Sequence, residues 1–271
     1  MPDTSQPTIA PTLVIEGPDA LAFAQNQFSS DVSAVATGTW RFSAWLDAQG
    51  RVRNFFHLAR LGPDRLLLLL RGGSADSMSH ELARFVFRAR LSMHVGEPQV
   101  IDTGAARPMH EVHQEGDTIQ FGCGNHSLVL SNQDGADNRW RAKQVEAGWP
   151  WLPDPLLGKC LPPALSLHRL GAVSLEKGCY PGQELVARLH YRGGNKRQLC
   201  RVGLSQPVPA GTLLTSASSN TSVQLLDVVS TDHGIEALAL CPVDAAGTAA
   251  PLLTGHAGSA VTATWQESWP A

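Results

Sequence analysis

Five prolines between Pro150 and Pro163 interrupt this 271-residue chain near its middle. Each proline fixes φ and removes a backbone donor, so long regular structure cannot run through the stretch, and it reads as a connecting loop. On its N-terminal side, strands and helices alternate. Residues 12–15 form a short apolar run ahead of Gly17, Pro18 and Asp19, which predicts a strand, a turn and a helix over 20–28. Two strand-like runs, 39–46 and 52–59, flank Asp47, Ala48, Gln49 and Gly50 as a hairpin would, and a further strand is expected over 65–70. The clearest helical spacing covers 74–89, where Met78, Leu82, Phe85 and Ala89 share one face that should be core. The pattern then weakens, leaving short strands at 118–121 and 127–130, before a helix over 140–147 closed by Gly148.

Beyond Gln198 no helical period appears. Strand-like runs near 199–204, 223–229, 235–241 and 260–265 are separated by glycine- and proline-rich turns, which predicts a small antiparallel barrel. The expected class is therefore α+β. Hydrophobic residues make up 43% of the chain and charged residues 17%, enough apolar material for real cores. The net charge of −3 offers no general attraction to nucleic acid or anionic membrane, so any anion site must be local. Five cysteines (123, 160, 179, 200 and 241) are an odd, unpatterned set that fits a reducing compartment better than a disulfide framework. The N-terminus lacks a basic region followed by an apolar run, and the longest apolar run, 66–70, is too short to cross a bilayer. A cytoplasmic protein without membrane contact is expected.

Chemistry concentrates between Val173 and Arg201. Lys177, Gly178, Cys179, Tyr180, Pro181, Gly182, Gln183 and Glu184 form an octapeptide, K-G-C-Y-P-G-Q-E, followed by L-V-A-R. Gly178 permits a sharp turn and Pro181 suits the first turn of a following helix, which would put Cys179 just ahead of a helix N-terminus. The helix dipole and Lys177 would both favour a thiolate there. A small buried thiol is the competing reading. Six basic residues, Lys177, Arg188, Arg192, Lys196, Arg197 and Arg201, face only Glu176 and Glu184 in this stretch, which points to an anionic partner or to a solvated face. His110 with His113 and Cys123 with His126 have metal-like spacing but no second pair beside them, so no metal is expected. No phosphate-binding G-x-x-x-x-G-K loop and no G-x-S-x-G elbow occurs.

The octapeptide, the L-V-A-R after it and the later Y-R-G-G-N-K-R are similar to the signature of the YgfZ family, relatives of the glycine-cleavage T-protein. V-E-A-G-W-P at 145–150, L-P-P-A at 161–164 and I-E-G-P-D-A-L-A-F-A-Q-N-Q-F-S-S-D-V near the N-terminus extend the resemblance. It implies a three-lobed fold around a central folate pocket: a split lobe of 1–48 with 138–196, a second α+β lobe of 49–137, both ferredoxin-like, and a C-terminal barrel of 197–271. It implies a reduced folate such as tetrahydrofolate as cofactor, with Trp140 against its ring system. Tyr180, Gln183, Glu184, Arg188, Arg192 and Gln27 complete the implied binding set, and Cys179 with Lys177 the reactive pair. The chain departs from the family at Ala10, where other members carry a second tryptophan. The implied role is an accessory factor for assembly or repair of iron–sulfur enzymes, including tRNA-modifying ones, with those clients as transient partners. A one-carbon transferase like the T-protein is the alternative. A direct RNA-binding protein is a third, less favoured because aromatics are sparse and no general positive charge exists.

Overall fold

The structure is a computed structural model that describes residues 7–132, 137–216, 221–245, 252–254 and 260–269. Residues 1–6 of the N-terminal stretch lie outside the described residues. Among the described residues, three antiparallel sheets carry the fold. The elements before the first helix are β1 (Thr8–Ala10) and β2 (Thr12–Glu16), then α1 (Ala20–Gln27). Next come β3 (Thr39–Leu46), β4 (Val52–Gly62), β5 (Arg65–Leu70), α2 (Ala75–Ala83) and β6 (Ser92–Val95). These give the first sheet, in the order β3-β4-β5-β2-β6.

β5 is the five-leucine run, and its side chains alternate between two cores. Leu66, Leu68 and Leu70 pack with Phe23, Phe28, Met78 and Leu82 under α1 and α2, while Leu67 and Leu69 join a central core on the opposite face. A strand covered on both faces needs no polar alternation, which is why the run is continuous.

The second sheet, β1-β7-β10-β9-β8, uses β7 (Gln99–Gly104), β8 (Val112–Glu115), β9 (Thr118–Gly122) and β10 (Ser127–Ser131). Ala10 lies within β1, buried opposite Gln99. After α3 (Arg139–Glu146) the proline-rich stretch makes only two short 3-10 turns, at Asp154–Leu156 and Pro162–Leu165. α4 (Gln183–Arg192) follows.

The C-terminal sheet consists of β11 (Arg197–Leu204), β12 (Leu213–Ser216), β13 (Ser222–Thr231), β14 (Gly234–Pro242), β15 (Leu252–Thr254) and β16 (Ala260–Trp269). The long strands β16, β11, β14 and β13 form half of a barrel wall around Cys200, Val202, Leu225, Ala239 and Ala263. The ring returns through β12 and β15, where ladders shrink to two or three residue pairs. The expected barrel is thus a half-barrel sheet with short closing ladders.

One expectation is corrected. The helix expected over 74–89 ends at Ala83, because the chain must turn to reach β6, whose ladder with β2 begins at Ser92. Met78 and Leu82 are buried as expected, but Phe85 is 43% exposed and Ala89 lies outside the helix. The β3–β4 hairpin spans the expected 48/49 lobe boundary, and its ladder, with a register shift between Trp45 and Leu46, joins the two strands in one sheet.

Arg71, just after β5, ties these parts together. It is fully buried, and its guanidinium donates to the carbonyls of Pro150 (2.8 Å) and Trp149 (2.7 Å) and to Gln144 Oε1 of α3 (2.6 Å). Its backbone N–H donates to Phe55 O, and its own carbonyl accepts from Leu152 N–H. Removing the side chain would leave three buried oxygens without a donor. Arg71→Ala should therefore lower unfolding free energy by about 3 kcal/mol or more, read from urea denaturation of the full chain.

Candidate functional site

The K-G-C-Y-P-G-Q-E segment forms an irregular turn clamped to the first sheet from both ends. At its start, the Lys177 ammonium donates to the carbonyls of Gln25, Phe28 (2.6 Å) and Ser30 (2.9 Å), at and just past the end of α1. It also lies 5.2 Å from the centre of the Tyr180 ring. Burial pushes the Lys177 pKa down to about 8, and the Asp31 carboxylate opposes that shift. Ser29 Oγ donates to Ala172 O (2.7 Å), and Ser174 N–H donates to Ser29 O (2.8 Å). Ser29 Oγ also accepts from Ala44 N–H of β3 (3.0 Å). Two of the segments that carry the family resemblance, Q-N-Q-F-S-S-D and the octapeptide, are therefore stitched directly to each other.

At its far end the turn rests on the β3–β4 hairpin. Gly182 has φ +77°, and a Cβ there would lie 2.5 Å from Asp47 O and 2.6 Å from the Cα of Gly50. Gly50, itself at φ +71°, faces the carbonyl of Gly182 in return. The hairpin is held for this contact by Asp47, whose Oδ1 accepts from the N–H groups of Gln49 (2.9 Å) and Arg51 (2.8 Å). Gly182 is the residue capping α4, so Pro181 precedes the helix rather than occupying its first turn. Cys179 lies three positions ahead of that cap.

Cys179 is exposed, whereas Cys123, Cys160, Cys200 and Cys241 are buried. Burial pushes the Cys123 thiol up to about 12 and the Cys160 thiol up to about 11. Lys177 spends its donors on three carbonyls, so its part in the turn is to lock the backbone that displays the thiol.

The remaining candidates divide into groups. Tyr180 is buried next to the turn, burial pushes its hydroxyl up to about 12, and that hydroxyl has no hydrogen-bond partner among the described residues. Gln27 Oε1, beside the residues that Lys177 grips, is buried and equally without a partner. Gln183 opens α4, and Glu184, Arg188 and Arg192 project from it into solvent. Arg197 is engaged inside the fold, donating to Ser222 Oγ (2.7 Å), Ser222 O and Leu240 O. Lys196 and Arg197 both line a cleft of about 320 Å³ between α4 and the half-barrel, together with Lys159, Cys160, Leu189 and Asn195.

Trp140 is 1% exposed, its ring 5.5 Å from that of Trp151, so neither face of it is open to a flat ligand. Trp151 is the partly exposed member of this pair and is backed by the Arg71 guanidinium at 5.1 Å. Sequence reasoning passed over Trp151 because it sits in the proline-rich stretch. Its signal was a tryptophan placed between prolines, in P-W-L-P. The His110/His113 and Cys123/His126 pairs do not build a cluster: no group of three or more metal-type ligands occurs among the described residues.

The chain is 28% identical to the tRNA-modifying protein YgfZ of Edwardsiella ictaluri, over 68% of this chain and 66% of that protein. It is also 28% identical to the YgfZ of Pectobacterium carotovorum, over 73% and 74% of the two chains. This chain is a relative of the YgfZ proteins. Among solved structures, the glycine cleavage system aminomethyltransferase T from Bartonella henselae shares the fold, with a TM-score of 0.71 over 94% of this chain and 82% of that one, at 16% identity. No family model matches the chain. No helix among the described residues is long and apolar enough to cross a membrane.

Two measurements check this site. Thiol titration of the native chain should report one fast-reacting cysteine, and Cys179→Ser should abolish it, with the other four thiols appearing only in denaturant. Gly182→Ala combines an unfavourable φ with a backbone collision. It should cost about 2 kcal/mol of stability, measured by denaturant unfolding, and should undock the motif from the hairpin.

Proposed function

We propose that this YgfZ relative is a folate-binding accessory protein that acts in the cytoplasm, supporting iron–sulfur enzymes, among them those that modify tRNA. The observation that carries this reading is Cys179, the exposed thiol on a turn that Lys177 and Gly182 hold rigidly against α1 and the β3–β4 hairpin. A thiol displayed in this way is built to be touched by a partner rather than to fill a core. The names of the relatives, tRNA-modifying proteins, set the direction of the reading, and the aminomethyltransferase-like fold supports a three-lobed arrangement around a central ligand.

The residues fit a reduced folate unevenly. The partnerless Tyr180 hydroxyl and Gln27 Oε1 suit the donors and acceptors of a pteridine edge. Trp140 does not offer a stacking face, and Trp151 takes that role in this reading. Arg188 and Arg192, exposed on α4, would meet the anionic glutamate tail. The folate supplies one-carbon chemistry when bound, while this chain's residues orient it and present the thiol.

The deciding experiment is complementation of a strain lacking the gene. The wild-type chain should restore tRNA methylthiolation and iron–sulfur enzyme activity, and Cys179→Ser should not, although its stability is unchanged. Full rescue by Cys179→Ser would remove the thiol from the mechanism. For the cofactor, calorimetric titration with tetrahydrofolate should show Trp151→Ala weakening binding roughly 3- to 10-fold. Equal affinity in wild type and variant would remove Trp151 from the site.

A further inference from the structure

The turn between α2 and β6 holds one phenylalanine, Phe87, in water and a second, Phe85, half-exposed with its ring edge-on to Trp45 (6.4 Å), among three arginines. Its sequence from Arg84 is R-F-V-F-R-A-R. Phe87 is 86% exposed and Phe85 43% exposed, while Val86 between them packs against the core under α2. Arg84, Arg88 and Arg90 are all exposed. Arg90 pairs with Asp19 (3.3 Å), and Arg84 and Arg88 have no ion pair among the described residues.

This turn is anchored, so its rings are not exposed through slackness. The N–H groups of Phe85 and Val86 continue the last turn of α2 by donating to Leu82 O (2.9 Å) and Ala83 O (3.1 Å). At the other end Asp19 Oδ2 accepts from Arg90 N–H (2.7 Å), and Asp19 N–H donates back to Arg90 O. Gly17, at φ +130°, lets the β2–α1 turn approach so closely that a Cβ there would lie 2.5 Å from Arg90 O. The chain is thus fixed on both sides of Phe87, with the ring directed outward.

We infer that residues 84–90 form a docking surface for unpaired RNA. Exposed aromatic rings offer stacking platforms for splayed bases, and interleaved arginines meet the phosphates between them. A chain of net charge −3 that concentrates three arginines in seven residues has made a local anion surface where none is expected globally. A membrane surface is the poorer match, because binding in the headgroup region calls for a long amphipathic face and this segment is one short turn. The inference goes beyond the proposed function and does not depend on folate or on Cys179.

The test uses the full chain and a fluorescently labelled single-stranded RNA of about a dozen nucleotides. Phe87→Ala should weaken binding roughly 5- to 100-fold, and Phe87→Trp should preserve it, since stacking and not the phenyl group is required. The double variant Arg84→Ala, Arg88→Ala should lower the slope of log affinity against log salt by about 1.4, for two lost phosphate contacts. These side chains are solvent-exposed, so thermal unfolding should be unchanged, and tetrahydrofolate affinity and Cys179 labelling should be unaffected. RNA affinity and salt slope unchanged in these variants would overturn the assignment. So would variants that lose binding to phosphatidylglycerol vesicles while retaining RNA, which would make the turn a membrane surface.

Discussion

Arg71 brings a full positive charge into the centre of the molecule, where an isolated ion would cost several kcal/mol. It is tolerated because Pro150 O, Trp149 O and Gln144 Oε1 receive its donors, while the Phe42, Phe55 and Trp151 rings surround the guanidinium. Burial still pulls its pKa down to about 9. The consequence is positional. The proline-rich stretch and α3 can sit only where their oxygens meet this group, so the end of β5 dictates the path of the chain from Gln144 to Leu152. Gly72 reinforces this, since a Cβ there would lie 2.0 Å from Leu152 O. From α3, Arg141 pairs with the buried Asp227 of β13 and carries the same constraint into the half-barrel.

The motif turn uses the same device at the edge of that frame. A lysine ammonium answers three carbonyls near the end of α1, and two glycines allow backbone to touch backbone at the hairpin. The rigid parts are buried and the thiol is not. That division of labour explains an octapeptide that is mostly structural yet leaves one thiol exposed. Lys177 is better understood as the anchor of Cys179 than as its activator, because its donors are already committed. The arginine-bearing turn at 84–90 follows the same logic, with Val86 and Asp19 holding a segment whose rings and charges face outward.

Much of the fold was legible where a run is governed by its nearest neighbours. β2, α1, the β3–β4 hairpin and β5 appear close to their expected bounds, since their spacing and turn residues agree with their burial. Legibility failed where a distant partner decides. β1, β6 and β7 are short strands defined by the ladders they join rather than by their own composition. α2 stops at Ala83 despite a helical pattern that continues, because β2 requires β6 as its neighbour. Arg197 read as one of six free cations, but it is consumed by Ser222 and Leu240 of adjacent strands. The resemblance implied Trp140 against a folate ring system, and the structure buries that ring beneath its neighbours.

Sequence alone determined the α+β class, the YgfZ resemblance and Cys179 as the residue to watch. Each of those depends on local residue order, and local order is what a linear chain displays. Tertiary structure alone decided that four of the five thiols are hidden, that Lys177 grips the end of α1, and that Trp151 is partly exposed while Trp140 is buried. It also decided that Phe87 stands in water while Phe85 half-covers itself against Trp45. Accessibility and hydrogen-bond partners are set by segments more than a hundred residues apart, as Ser29 and Ala172 are. Such pairings emerge only when burial forces every donor and acceptor to find a partner.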